Sequence, residues 1–210
     1  MLDTTTLATF TVASVALALT PGPDMLLVMT RSLAQGRVAG LITLAGITVG
    51  CYIHGLVAGL SLSGAILIAP VIFDLIRWVG AAYLVWLAVG AFRGTGGVVL
   101  PRAGMPKLEV GSLFRQGLLT NIFNPKVALF FLALFPQFMR PDPDTVVMQA
   151  LVLACVLSTV GFMVNGGIAL VAGRFGEFLS TRPGFVRWQN RLLGTVFAAL
   201  ALRLVLDVRR

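Results

Sequence analysis

Hydrophobic residues run along this chain in long stretches that are separated by short clusters of glycine, proline and charged residues. Between Val38 and Phe73 only His54 could carry a charge near neutral pH, and the stretch from Val146 to Gly173 contains no charged residue. About 20 mostly apolar residues are enough for one helix across a bilayer. The pattern therefore predicts a chain that crosses a membrane repeatedly.

Turn residues and charges divide the apolar stretches into six predicted spans. The spans cover roughly 5–30, 40–62, 70–92, 115–139, 146–172 and 190–207. The longest polar connection lies near the middle of the chain and contains Gly94, Gly96, Gly97, Pro101, Gly104 and Pro106. We therefore expect a first three-helix repeat at 1–93, a cytoplasmic linker at 94–113 and a second three-helix repeat at 114–210.

The two halves resemble each other in the placement of prolines and cysteines. Pro21 and Pro125 each interrupt the first helix of their half at an offset of 104 residues, and Cys51 and Cys155 share that offset. Because each half has an odd number of spans, the second half enters the membrane inverted. Inverted repeats with interrupted helices recur in transporters, where the substrate lies near the midplane. The predicted fold is an all-α membrane protein of six transmembrane helices in two inverted repeats, with proline-broken first and fourth helices.

Composition supports the membrane interpretation, since 58% of residues are hydrophobic and 11% are charged, against about 25% charged in soluble domains. A formal net charge of +8 could indicate nucleic-acid binding. Lys and Arg are instead distributed singly between apolar stretches, and no basic stripe is present, which argues against that function. The N-terminus has Asp3 and no basic residue at its start, so it lacks the positive region of a secretory signal and is expected to remain as the first helix.

Basic residues are unevenly distributed between the two sets of loops. The loops after the first, third and fifth spans hold Arg31, Arg37, Arg93, Arg102, Lys107, Arg115, Arg174, Arg182, Arg187 and Arg191. The opposite side holds Arg77, Arg140, Arg203, Arg209 and Arg210. The positive-inside rule then places the central linker in the cytoplasm and both termini outside. We expect a multi-pass protein of the bacterial inner membrane, surrounded by lipid and able to form a homo-oligomer.

The first span contains Thr20-Pro21-Gly22-Pro23-Asp24. The two prolines remove backbone donors and the glycine loosens the helix between them, so the helix must break or kink. A carboxylate at this depth costs roughly 2.5 to 3.5 kcal/mol on insertion scales. Asp24 therefore needs a partner or a functional role. Either it binds substrate or protons, or it is protonated or caps a half-helix at a structural kink.

The fourth span contains a matching disturbance at Asn121, Asn124, Pro125 and Lys126. Because Asp24 and Lys126 each follow a break, a pseudo-twofold arrangement would bring the two charges to the same level. Such a pair suits a zwitterion, whose carboxylate is attracted by the lysine and a helix N-terminus and whose ammonium is received by the aspartate. A structural salt bridge between helices would explain the same residues.

Two further polar residues and a series of glycines lie within apolar spans. His54 could serve a proton-coupled cycle, since imidazole gains or loses a proton near neutral pH, or it could form a hydrogen bond between helices. Asn165 could bind a polar group of the solute or a neighbouring helix. The second span contains Gly40, Gly46, Gly50, Gly55, Gly59 and Gly64. Small residues at such spacing predict close helix packing.

Short motifs spread over nearly the whole chain are similar to those of a known protein family. They are Thr20-Pro21-Gly22-Pro23-Asp24 with Gly36-Arg37, Gly80-Ala81-Ala82-Tyr83-Leu84, Phe114-Arg115-Gln116-Gly117, Asn121, Asn124-Pro125-Lys126, Phe130-Phe131 and Phe135-Pro136-Gln137-Phe138. Together they resemble the LysE/RhtB family, the lysine and homoserine/threonine exporters of bacteria. The resemblance implies export of amino acids or their derivatives, of the homoserine, threonine, leucine or lysine kind, driven by the proton gradient. We expect no cofactor.

Two alternatives come from other classes of protein. A membrane thiol–disulfide oxidoreductase would pass electrons through Cys51 and Cys155, but redox thiols must be reachable and activated and these lie in apolar stretches. A metal-ion exporter would have only His54, Asp24 and two cysteines, a thin ligand set for a divalent cation. A hydrolase is disfavoured, since the chain has neither an HExxH motif nor a G-x-S-x-G elbow. We therefore expect a transporter rather than an enzyme.

Overall fold

The computed structural model describes residues 2–66, 78, 81–82, 84–86, 88–90, 92–93, 107–140, 142–181 and 183–206. Regular secondary structure in this part of the chain is entirely α-helical, which confirms the predicted all-α class. The helices are α1 (Thr4–Leu19), α2 (Pro23–Gln35), α3 (Arg37–Ile66), α4 (Val110–Ile122), α5 (Pro125–Phe138), α6 (Val146–Thr181) and α7 (Pro183–Leu206). The described residues within 78–93 are also helical, whereas 67–77 and 94–106, and with them parts of the third predicted span and the linker, lie outside the described residues.

Helices bend at both predicted proline breaks. α1 and α2 form an angle of 54°, and α4 and α5 form an angle of 50°. The second helix of each pair begins with a proline, Pro23 or Pro125. At the first position of a helix the missing N–H costs no hydrogen bond and the fixed φ suits the helix. Each proline therefore starts a new helix in a new direction.

Two helical segments are long and apolar enough to cross a membrane, Arg37–Ser63 and Val146–Ala172. Each bent pair passes the same test when its two helices are taken together, so the described residues hold two such helices, or four if each bent pair is one span. The backbone of α6 leaves helical geometry at Val171, near the end of its apolar segment.

The ends of the bent pairs lie next to each other in reverse order. Asp3 caps α1 by accepting a hydrogen bond from the Thr6 N–H at 2.8 Å, which holds the pKa of the Asp3 carboxyl below its ordinary value. The same carboxylate lies 3.5 Å from Arg140, just after α5. At the other end, the Gln35 side chain accepts from the Leu108 N–H and donates to the Leu108 carbonyl, both at 2.9 Å. The two bent pairs therefore run in opposite directions.

Arg31 differs from the sequence-based prediction, which placed it in a loop after the first span. It lies within α2 and is 5% exposed. Its Nε donates a hydrogen bond of 2.8 Å to Oε1 of Gln116 in α4. The predicted first span ends near residue 30, whereas α2 continues to Gln35 and therefore includes Arg31. This arginine thus joins the two halves of the chain.

α3 packs closely against α4 because glycines remove the side chains that would separate them. A Cβ built on Gly46 would overlap the carbonyl oxygen of Phe114, and one built on Gly117 would overlap the carbonyl oxygen of Thr43. Further along α3, Gly55 takes up a similar position against α6. Small residues permit this close approach of helix backbones, so the packing role predicted for the glycines of α3 is confirmed here.

An aromatic cluster joins α1 to α5. Phe10 is fully buried, and its ring centroid lies 6.0 Å from Phe130, 5.4 Å from Phe135 and 5.2 Å from Phe138. The last two pairs meet edge to face, an arrangement that aromatic rings prefer. Helices from the two halves of the chain therefore share one core, and the two breaks are held close to each other.

Candidate functional site

A cavity of about 60 Å³ lies where the two helix breaks meet. Its lining includes five of the residues that the sequence singled out: Asp24, Cys51, Asn121, Lys126 and Asn165. Most of the remaining lining is apolar and comes from α1, α3, α5 and α6. By the size of a water molecule, such a volume holds a few waters or one small polar group. The described structure thus brings Asp24, Lys126, Asn121 and Asn165 together around one cavity.

Asp24 is bound across the two halves of the chain. It is 8% exposed and stands in the first turn of α2, where the positive end of the helix dipole favours a carboxylate. Its Oδ2 accepts a hydrogen bond of 2.7 Å from Nδ2 of Asn121. The N-cap of α2 is Gly22. The carboxylate of Asp24 therefore faces the other half of the chain instead of capping its own helix.

Lys126 closes the end of α1. Its Nζ donates hydrogen bonds to the carbonyl oxygens of Leu17 at 3.1 Å and Thr20 at 2.7 Å. The last carbonyls of a helix have no partner within the helix, and their dipole attracts a cation. Gly22 makes room for the ammonium, since a Cβ at that position would lie 2.9 Å from Nζ. Lys126 and Asp24 also attract each other electrostatically across the cavity.

The second break is capped by a residue of its own. Asn124 is the N-cap of α5 and is 1% exposed. Its Oδ1 accepts from the backbone N–H of Lys126 at 3.0 Å. Asn124 and Pro125, like Pro21, Gly22 and Pro23, shape the breaks but are absent from the cavity lining.

Asn121 connects several elements. It is 2% exposed, and its side chain fits against α3 because Gly50 has no Cβ: one built there would lie 2.7 Å from Oδ1 of Asn121. Its backbone carbonyl lies 3.2 Å from Nε2 of His54. Since a carbonyl oxygen only accepts, Nε2 donates in this bond. Asn121 therefore connects His54 to Asp24, since it forms one hydrogen bond with each of them.

His54 itself lies outside the cavity that holds Asp24. Its ring stacks on Phe131 with centroids 5.3 Å apart and an interplanar angle of 25°. It lines a second, largely apolar cavity of about 360 Å³ between α3 and α5. The bond to the Asn121 carbonyl corresponds to the interhelical hydrogen bond that the sequence left as one alternative for this histidine.

Ser158 is a cavity residue that sequence reasoning missed. It is 6% exposed and lines the cavity together with Asn165, which lies on the same helix. The two residues are seven positions apart, close to two helical turns, which places them on one face of α6. That spacing was the signal that could have found it.

The two cysteines occupy different environments. Cys51 is buried and lines the cavity, whereas Cys155 is exposed, and both are free thiols. Both cysteines lie in apolar stretches, but only Cys51 points into the protein, because the position of Cys155 on α6 faces outward. Across the described residues no group of three His, Cys, Asp or Glu side chains could hold a metal ion.

Comparison with known proteins identifies a protein family whose model matches this chain. The model of the LysE type translocator family matches residues 15–208. Proteins named homoserine/homoserine lactone efflux protein from Salmonella typhi and Salmonella typhimurium are each 30% identical over 188 residues, which is 90% of this chain and 90% of theirs. An uncharacterized membrane protein of Vibrio cholerae is 29% identical over 195 residues, 93% of this chain and 94% of its own. No solved structure matches the chain.

Proposed function

This chain belongs to the LysE type translocator family, and from that premise we propose that it is a secondary exporter that expels amino acids or their derivatives in exchange for protons. Family membership makes it a membrane transporter of small molecules rather than an enzyme, as the motifs predicted. The oxidoreductase alternative is thereby set aside. The names of the Salmonella proteins support homoserine-like cargo, within the wider range of threonine, leucine and lysine derivatives.

The observation that carries this proposal is the state of the Asp24 carboxylate. One of its oxygens accepts from Asn121 at 2.7 Å. The other lies buried beside a cavity and has no hydrogen-bond partner of good geometry within the described part of the chain, although the Asn124 amide also interacts with this carboxyl. A buried carboxylate of this kind can hold a proton or a cationic group in turn. Because the two occupants compete for the same oxygen, loading one releases the other. This exclusion is the physical basis of antiport.

The proposed architecture has six transmembrane helices in two inverted three-helix repeats, 1–93 and 114–210, joined by a cytoplasmic linker at 94–113. The opposite directions of the two bent pairs support it. In transporters of this plan the substrate lies near the midplane, between discontinuous helices. We place both termini outside a bacterial inner membrane, so that the Gln35–Leu108 contact faces the cytoplasm and the Asp3–Arg140 contact faces outward.

Transport in inside-out vesicles tests the proposal. A pH gradient, acidic inside, should drive accumulation of labelled homoserine, threonine, leucine or lysine. Asp24→Asn keeps the size of the side chain but removes its charge. We expect it to lower the rate by about tenfold to a hundredfold, as the loss of a charge-assisted hydrogen bond implies.

The matched control is Asp144→Asn, at an exposed aspartate in the connection between α5 and α6. It should transport within about twofold of the native protein, because a surface charge contributes little. Undiminished transport by Asp24→Asn, or transport that ignores the pH gradient, contradicts the proposed mechanism.

A further inference from the structure

The residues that line the cavity hold polar atoms of different kinds. Four buried side-chain oxygens of lining residues have no hydrogen-bond partner of good geometry within the described residues: Oδ1 of Asp24, Oδ1 of Asn121, Oγ of Ser158 and Oδ1 of Asn165. All four residues are at most 8% exposed. The Cys51 thiol interacts with Ser158, and the Asn124 amide interacts with Asp24. An unpaired buried acceptor costs free energy unless a donor reaches it. The cavity therefore favours a group rich in N–H or O–H donors.

The amide orientations are fixed by their other bonds. Nδ2 of Asn165 donates to the Gly161 carbonyl at 3.1 Å, and Nδ2 of Asn121 donates to Asp24 at 2.7 Å. Since carbonyl and carboxylate oxygens accept these bonds, the remaining oxygen of each amide must be the atom left unpaired. Three of the four unpaired atoms are thus acceptors only, and the serine hydroxyl can accept as well.

The ammonium group of Lys126, the cation beside the cavity, already forms hydrogen bonds within the protein. Lys126 donates to the carbonyls of Leu17 and Thr20 at the end of α1. Its charge is directed at the negative end of a helix dipole. The sequence had suggested that this lysine receives the carboxylate of a zwitterion. The geometry instead leaves acceptors, not donors, for the cargo.

On the basis of the proposed function, we infer that Asp24, Ser158 and Asn165 form a receptor for the primary ammonium of the cargo, and that Ser158 and Asn165 set this specificity. An ammonium has three N–H donors and a positive charge, which match two neutral acceptors and one carboxylate oxygen. The volume of about 60 Å³ suits such a small head group. Lys126 does not bind the carboxyl end of the cargo, so a free carboxylate, an ester or a lactone is accepted there. An acylated nitrogen is rejected.

The experiment compares homoserine with a lactone that lacks the free carboxylate and hydroxyl but keeps the amine, and with an N-acetyl compound that lacks only the free amine. The native protein is reconstituted into proteoliposomes, and inhibition of counterflow of a labelled cargo is measured with homoserine, homoserine lactone and N-acetylhomoserine. We expect the lactone to inhibit within about threefold of homoserine and the N-acetyl compound to be weaker by about tenfold or more. This series needs no mutation and so does not depend on the folding of a variant.

Variants then test the two residues of α6. Ser158→Ala and Asn165→Leu should raise the half-inhibitory concentrations of homoserine and its lactone in parallel, by about tenfold. Thr159→Ala is the matched control, since this residue adjoins Ser158 on α6 but is exposed. It should leave both half-inhibitory concentrations within about twofold of the native values.

Several results would overturn the inference. They are equal inhibition by N-acetylhomoserine, a loss in the variants that affects homoserine but spares the lactone, and a dependence on sodium ions that the variants shift without changing amine affinity. The last result would assign the oxygens to a metal cation. Absence of any counterflow in the native protein would instead count against the proposed function, so the two failures are distinguishable.

Discussion

The two helix breaks have similar shapes but are stabilised in different ways. Both bend by about 50°, at 54° and 50°, and both start the new helix with a proline. At the second break, Asn124 caps α5 by accepting from the backbone N–H two residues later. At the first break, the N-cap is Gly22, which has no side chain, and the open carbonyls of α1 are bound by Lys126.

The difference shows that the second half of the chain supplies the cation that stabilises the break in the first half. The backbone at the second break is capped locally by Asn124, although Asn121 at the end of α4 also donates to Asp24 of α2. The first break receives its cation from α5, 106 to 109 residues away along the chain. Lys126 belongs to both breaks, since its backbone is capped by Asn124 while its side chain caps α1. A movement of one half relative to the other would therefore break the bonds of Lys126 to α1 and of Asn121 to Asp24, while the local cap of α5 would remain.

The largest effect on stability is expected from Lys126→Met. The variant leaves the carbonyls of Leu17 and Thr20 and the charge of Asp24 without their cation, and we expect the free energy of unfolding in mixed micelles to fall by about 3 kcal/mol. Lys107→Met is the control, because Lys107 is exposed. An equal, small change in both variants would show that the first break does not depend on Lys126.

A smaller effect is expected from Gly22→Ala. The new methyl group would lie 2.9 Å from Nζ and 3.1 Å from Cε of Lys126. The end of a lysine side chain can shift, so we expect a loss of about 1 to 2 kcal/mol in the same unfolding measurement, together with slower transport. Gly111→Ala is the matched control, since a Cβ there would meet nothing within 4 Å and alanine favours a helix. A Gly22→Ala protein as stable as the control would refute close packing at the first break.

The smallest effect is expected from Asn124→Ala, which removes the side-chain cap of α5. Loss of an N-cap side chain costs about 1 kcal/mol, and we expect a drop of that size in the thermal or denaturant unfolding of the detergent-solubilised protein. Asn124→Ser keeps a capping oxygen without adding a charge and should recover most of the loss. If Asn124→Ala were as damaging as Lys126→Met, the second break would not be locally stabilised.

Much of the fold could be predicted from particular residues. Pro21, Pro23 and Pro125 located the breaks because a missing N–H acts within the same helix. The uncharged stretch beginning at Val146 gave the start of α6 as the structure has it. The close approach at Gly46 followed from the spacing of small residues. These are properties of neighbouring residues, so the amino-acid order contains them.

The site was predicted only in part. The presence of Asp24, Asn121, Lys126 and Asn165 in one cavity agrees with the idea of paired breaks. The bond of Lys126 to two backbone carbonyls was not foreseen, because every residue has a carbonyl and residue type gives no indication of which one is free. His54 proved to line a different cavity from Asp24.

The sequence by itself determined where the helices break, which stretches are apolar, and which charges fall beside the breaks. These follow from the chemistry of proline, glycine and side-chain hydration, which act over a few residues. Only the tertiary structure decided that Asn121 binds Asp24 over a separation of 97 residues and that Lys126 binds α1 rather than a neighbour on α5. A hydrogen bond requires two atoms within about 3 Å, and which distant atoms meet at that distance is set by how the helices pack.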